Sequence, residues 1–366
     1  MMATKGDRQS NFELMRIVAM FLIVTYHCVL HSELEGGGAL VFAHFNLNLA
    51  FSYLVGMWGM TGVGCFFLLT AYFQLDRGKV STKRLLLLIL ETIFWAFVTE
   101  GFTVIFLRKW TYTLNDLIHA FRAPFKGYWF IKSYICLCLM IPFLNKIIEK
   151  LDDTVYKKLL IVFTIVSPIY SSLGDTRETL CDITISMYYY FLWGYLRRHP
   201  GNWFERNCKK IFFSVLLLTT VAACASSYYF TRMGKQAVGL FSIIGRASFV
   251  QVILAVALFY IFKNMDIGSN KIINVLAKSM FGVYLIHENE KLSPFIWNWI
   301  LYIRRYFTTS PLYMPRMIGC VLLVFVISMV LELIRLYLLE KPLVSALKPL
   351  DPLFNKMDSW FDVTKS

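Results

Sequence analysis

The sequence predicts an all-α integral membrane protein of about ten spanning helices, with both termini cytoplasmic and no soluble domain. Three observations predict it. Hydrophobic residues make up 57% of the 366 residues and charged residues only 16%, against roughly a quarter charged in soluble domains. The apolar residues gather in stretches close to the ~20 residues that cross a bilayer. Lys and Arg are distributed unevenly between the two sets of connecting segments, as the positive-inside rule requires of a multi-pass chain.

The stretches lie near residues 12–30, 51–74, 85–107, 128–145, 158–173, 181–196, 211–230, 239–262, 272–303 and 315–338. The fifth and sixth are short. The ninth contains Pro294 and reads as one broken helix or a re-entrant pair. With the N-terminus inside, cytoplasmic segments hold 22 Lys and Arg and outer segments 11, while Arg16, Lys132, Arg246 and Arg335 fall within helices. The 108–127 segment, a loop by this reading, runs against the trend with Arg108, Lys109, Arg122 and Lys126. Three glycines make 33–40 a flexible outer loop. The whole of 1–366 is expected to be one membrane domain, with its core at about 12–338 and a short basic cytoplasmic tail at 339–366.

The net charge of +14 sits in short loops between apolar runs, which reads as topology and contact with anionic lipid rather than nucleic-acid binding. The eight cysteines lie mostly inside apolar stretches, and Cys136 and Cys138 have neither zinc nor redox spacing. They read as small buried side chains. The first stretch contains Glu13 and Arg16 and lacks a small-residue cleavage site, so it is expected to remain as a helix.

That first helix carries the chemistry. Arg16 and His27 are eleven residues apart, close to three turns, so they share a face about 16 Å apart along the axis. Ionisable groups inside a span are costly and usually face a cavity or a partner. Arg16 is near enough to the cytoplasmic end to snorkel, and His27 also fits a structural, hydrogen-bonded residue. His31 is expected at the interface.

The Arg16-to-His27 spacing is similar to a signature of the membrane-bound acyltransferase 3 family, and further stretches resemble that family in order. They are GVGCFFLLTAYFQL (62–75), TKRLLLLILETIFW (82–95), GYWFIKSYICLCLMIPFLNKII (127–148), KSMFGVYLIHE (278–288) and LLEKPL (338–343). The family's second-helix run usually ends in Ser-Gly where this chain has Thr70-Ala71, and its third helix often begins with two arginines three apart where this chain has Arg84 and Leu87. The resemblance implies transfer of an acyl group, most often acetyl, from acetyl-CoA to a hydroxyl of a surface or lipid-linked carbohydrate at the plasma membrane, by a stand-alone member. Its donor-binding motif carries over to Arg84 only.

O-acylation from a thioester needs a base, an oxyanion stabiliser and a site for CoA phosphates. A neutral histidine suits the first role, so His27 is the expected base. Arg16 is expected to serve the donor or to orient His27. Lys83 and Arg84 are candidates for the phosphates, although the positive-inside rule alone also explains them. Glu91, Trp129, Phe130 and His287, the last followed by Glu288, are pocket candidates; Glu91 alternatively pairs with Arg246 or Lys132. Gly62, Gly64 and Ala71 are expected to permit close helix packing. No metal is expected. The alternative is a transporter or flippase of a lipid-linked sugar or acyl group, which would more often show internal repeats; a membrane sensor would need a larger output segment than these tails.

Overall fold

The computed structural model describes residues 9–31, 45–75, 80–108, 111–169, 172, 182–234, 248–302 and 310–362, and among these every regular element is a helix. The 33–40 loop, Lys109, Cys181 and Arg246 lie outside the described residues. The other seven cysteines are free thiols.

The helices mostly follow the apolar stretches. They are α1 (Ser10–His31), α2 (Leu47–Gly56), α3 (Gly59–Gln74), α4 (Thr82–Phe102), α5 (Leu114–Lys126), α6 (Trp129–Lys150), α7 (Asp153–Thr164), α8 (Asp182–Arg198), α9 (Cys208–Arg232), α10 (Phe249–Lys263), α11 (Lys271–Leu276), α12 (Met280–His287), α13 (Tyr313–Arg335), α14 (Lys341–Ala346) and α15 (Asp351–Trp360). Six helical runs among the described residues are long and apolar enough to cross a membrane: Ser10–His31, Leu47–Gln74, Thr82–Leu107, Trp129–Lys150, Cys208–Arg232 and Tyr313–Ala346. The chain is thus a multi-pass, all-helical membrane protein. The remaining apolar stretches form shorter helices, and the ninth is broken between His287 and Phe295.

Hydrocarbon offers no hydrogen bonds, so helices satisfy their own backbone and fold polar side chains back onto it. Thr25 donates to the Phe21 carbonyl at 2.8 Å and Thr99 to that of Trp95 at 2.6 Å. Burial sorts the spans: 72% of the apolar window in Leu47–Gln74 is buried, against 11% in Cys208–Arg232, so the former is central and the latter lies at the rim.

Helix α1 is the hub. It packs against α2, α3, α10, α11, α12 and α13. A Cβ added at Gly62 on α3 would strike the Ala19 carbonyl oxygen of α1, so that glycine permits the close approach expected of it. At the base of α1, the Ser10 hydroxyl donates to Asn274 Oδ1 at 2.8 Å and accepts from the Asn270 amide at 2.7 Å. This ties the start of α1 to α11 and, through it, to the chain leading into α12.

One segment differs from the sequence reading. Residues 114–126 are not loop but the amphipathic helix α5, opened by a capping box between Thr113 and Asp116. Leu114, Ile118, Phe121 and Phe125 stand exposed at helical spacing, while Ala120 and Ala123 are buried against the protein. The C-terminal segment is also helical. Asp358 of α15 accepts from the Thr82 hydroxyl at 2.6 Å, and Asp351 pairs with Lys83 at 2.6 Å, fixing α15 to the start of α4.

Candidate active site

The last turn of α1 meets the end of α12, and four side chains converge there. His27 Nδ1 lies 2.9 Å from His287 Nε2 and 2.9 Å from Glu288 Oε2. His31 Nε2 lies 2.9 Å from the same Glu288 oxygen. His27 and His287 are buried, whereas His31 and Glu288 are partly open.

The partners fix the proton positions. His287 Nδ1 points at the Val283 carbonyl oxygen at 2.5 Å. A carbonyl only accepts, so Nδ1 carries the proton and the neutral ring has a bare Nε2. That bare nitrogen faces His27 Nδ1, as does the Glu288 carboxylate. Both want a donor, so His27 bears its proton on Nδ1 and leaves Nε2 as a lone pair. A carboxylate beside Nδ1 also faces the positive charge that develops on the ring as Nε2 takes a proton from substrate.

The turn that carries Glu288 is anchored on several sides. Asn289 Oδ1 accepts from the amides of Lys291 and Leu292, both at 3.1 Å. The Tyr128 hydroxyl donates to the Leu285 carbonyl at 2.8 Å and accepts from Asn289 Nδ2 at 3.3 Å. Lys291 Nζ reaches Asp116 of α5 at 2.8 Å and the buried Glu100 of α4 at 3.1 Å, and His119 Nδ1 meets Glu100 at 2.9 Å. Hydrogen bonds from Lys291 and Thr113 hold the Asp116 carboxyl well below the usual carboxylate range.

The other expected residues lie in separate places. Arg16 pairs with Glu13 at 2.6 Å and sits 5.9 Å over the Phe73 ring; it shares a helix with His27 but not a contact. Lys83 is engaged by Asp351, and Arg84 is exposed. One expected partner of Glu91, Arg246, lies outside the described residues; among these residues Glu91 pairs not with Lys132 but with Arg335 at 3.2 Å. That guanidinium is held by Glu332 at 2.7 Å and also meets Glu340 at 3.4 Å, while Trp95 Nε1 donates to Glu332 at 2.6 Å. Phe130 packs against Phe67 (5.2 Å between centroids), Tyr134 (6.0 Å) and Tyr284 (5.8 Å), and Trp129 stands edge-on to it.

The sequence reading put His31 at the interface, yet it shares the Glu288 carboxylate with His27. The signal was present: histidines at i and i+4 lie on one helix face. Tyr128, Asn289 and Lys291 were missed as anchors, and no local pattern identifies them.

No curated protein and no solved structure matches the chain. A family model described as an acyltransferase domain matches residues 9–333. That range takes in α1, α12 and the converging histidines, and it extends through nearly all of α13. The chain therefore belongs to the acyltransferase 3 family.

Proposed function

We propose that this protein is an O-acetyltransferase of the plasma membrane, crossing the bilayer ten times with both termini in the cytoplasm, and moving acetyl from acetyl-CoA to a hydroxyl of a surface or lipid-linked carbohydrate. The observation that carries this reading is the contact of His27 Nδ1 with both Glu288 and His287 at 2.9 Å; these acceptors assign the proton to Nδ1 and leave Nε2 to act as a base. The acceptor hydroxyl oxygen attacks the thioester carbonyl carbon while His27 Nε2 takes its proton. Collapse of the tetrahedral intermediate breaks the carbon–sulfur bond, and His27 returns the proton to the departing CoA thiolate. An oxygen ester replaces the thioester. Glu288 and His287 act through His27 as positioning residues, with His287 and the aromatic pair Trp129 and Phe130 toward the acceptor.

The donor enters from the cytoplasmic side in this reading. Arg16, with Glu13 beside it, lies along the arm of CoA, and Lys83 and Arg84 face its phosphates. Glu91 belongs to the Arg335 cluster and serves the frame. Membrane lipids are the remaining partner, and the reaction uses no metal.

The test is ester-linked acetyl on surface glycan in a deletion strain complemented with wild type or with His27→Ala. Acetyl lost on deletion, restored by wild type and not restored by a normally expressed His27→Ala protein is the expected result. Unchanged glycan esters after deletion would overturn the reading in favour of a transporter.

A further inference from the structure

We propose that His27, His31 and Glu288 form a binding site for a divalent transition-metal ion of the zinc type, and that its occupancy switches His27 off as a base. The three residues each offer one ligand atom, and these atoms all lie within 4.8 Å of one another. One carboxylate oxygen, Glu288 Oε2, stands 2.9 Å from both His27 Nδ1 and His31 Nε2. Two histidines one helical turn apart with a carboxylate between them make a three-ligand face, and a fourth tetrahedral position remains for water.

The geometry needs an adjustment at each pair of ligand atoms, and the two histidine nitrogens, within 4.8 Å of each other, must settle at the spacing the ion sets. Zinc bonds of about 2.0–2.2 Å set tetrahedral ligand atoms roughly 3.4 Å apart, so the two 2.9 Å contacts must open by about half an ångström. His31 is the last residue of α1, and its side chain is 29% exposed, against 8% for His27. It can make that adjustment, and it marks the side from which an ion enters. The donor set of two imidazoles and one carboxylate selects zinc or copper over magnesium, which prefers oxygen ligands.

The consequence for His27 follows from proton bookkeeping. A neutral imidazole has one proton and two nitrogens. Unliganded, His27 carries that proton on Nδ1, where Glu288 and His287 accept it. A metal on Nδ1 needs the lone pair there, so the proton moves to Nε2 and no proton is released. The nitrogen that would accept the sugar hydroxyl's proton is then N–H and cannot. The inhibitory half of the proposal rests on His27 being the base; the metal site does not.

The test uses full-length protein purified in detergent, with any affinity tag removed and chelators dialysed away. Zinc binding is measured by titration calorimetry, with magnesium as the control ion, and transfer activity is followed with zinc and after chelator. We expect one zinc per wild-type chain, no magnesium binding at equal concentration, and transfer that zinc blocks and chelator restores. His31→Ala and His31→Gln should each bind zinc at least about tenfold more weakly, and each should keep a larger fraction of its own zinc-free rate. Size-exclusion profiles and melting temperatures matching wild type show that the variants are folded. A wild-type chain that binds no zinc, or His31 variants that bind it equally well, overturns the site. Zinc bound as expected without inhibition overturns the tautomer switch alone. Zinc bound by a protein with no acetyl transfer under any condition leaves the site standing and removes the proposed function instead.

Discussion

Gly282 and Glu332 occupy each other's space: a Cβ built on Gly282 of α12 would land on the Glu332 carboxylate of α13. That carboxylate is fully buried and bonded to Arg335 and Trp95, so it has nowhere to retreat without giving up partners. The missing side chain therefore sets how closely α12 approaches α13, and α12 ends in His287. Gly282→Ala should cost about 1–3 kcal/mol as an overpacked site. It should appear as a lower melting temperature of the detergent-purified protein, and a melting temperature equal to wild type would show that the helices can separate freely.

Arg335 pairs with Glu91, Glu332 and Glu340 at once, and among the described residues it is the one cation that meets all three. Removing it strands buried Glu332 without its bidentate partner, and such a loss costs roughly 3–5 kcal/mol. Arg335→Met should thus abolish or sharply reduce folded protein. Glu91→Gln removes one of several negative charges around the same guanidinium and should be tolerated. Comparing the monodisperse yield of the two variants checks the order, and the reverse order would contradict the assignment of Arg335 as the keystone.

How far these features were legible depends on sequence distance. That the chain is all-helical and multi-pass was written in the apolar stretches, each of which is helical over most of its described length, the ninth being broken between His287 and Phe295. Arg16 with Glu13 was readable too, as an i, i+3 pair, although the expectation looked toward His27 instead. The capping box Thr113-x-x-Asp116 announces α5, but the position of 108–127 between two apolar stretches drew the segment as a loop. His27 and His287 were both named, yet their 2.9 Å contact joins positions 260 apart, and no periodicity reports such a pairing. Glu91 with Arg335 is the same case. Spacing identifies which residues share a helix face; only packing decides which face meets which.

Glu288→Gln tests the reading of Glu288 as a positioning residue. The amide keeps the size of the carboxyl and can still accept one hydrogen bond from His27, so fold and substrate binding should hold. The negative charge that faces the positive charge developing on His27 in the transition state is gone. The expected result is a fall in kcat within the range of about 10²–10⁴-fold ascribed to acid–base catalysis, with little change in KM and an unchanged melting temperature. A rise in KM at constant kcat would place Glu288 in substrate binding instead.

The clasp between Asp116 and Lys291 predicts a pH dependence of stability with a definite sign. Hydrogen bonds from Lys291 and Thr113 depress the Asp116 carboxyl in the folded protein, whereas in the unfolded chain it titrates near its reference value of about 3.9. The unfolded state therefore binds the proton first as pH falls, and stability falls with it. The contribution is fully present above about pH 4–5 and is lost as pH drops toward the depressed folded value. Glu100, His119 and Glu290 also face this cluster, so wild type is best compared with Asp116→Asn, in which those groups remain and the side chain can still accept from Thr113. The gap in melting temperature between the two proteins should be constant from about pH 7 to 5 and should narrow below about pH 4. Because Lys291 lies three residues beyond Glu288, the variant should also loosen the turn that holds His27, visible at neutral pH as faster amide exchange around 288–292. A gap that stays constant down to pH 3, or that widens on acidification, would mean that the Asp116 carboxylate is not held by Lys291 in the folded protein.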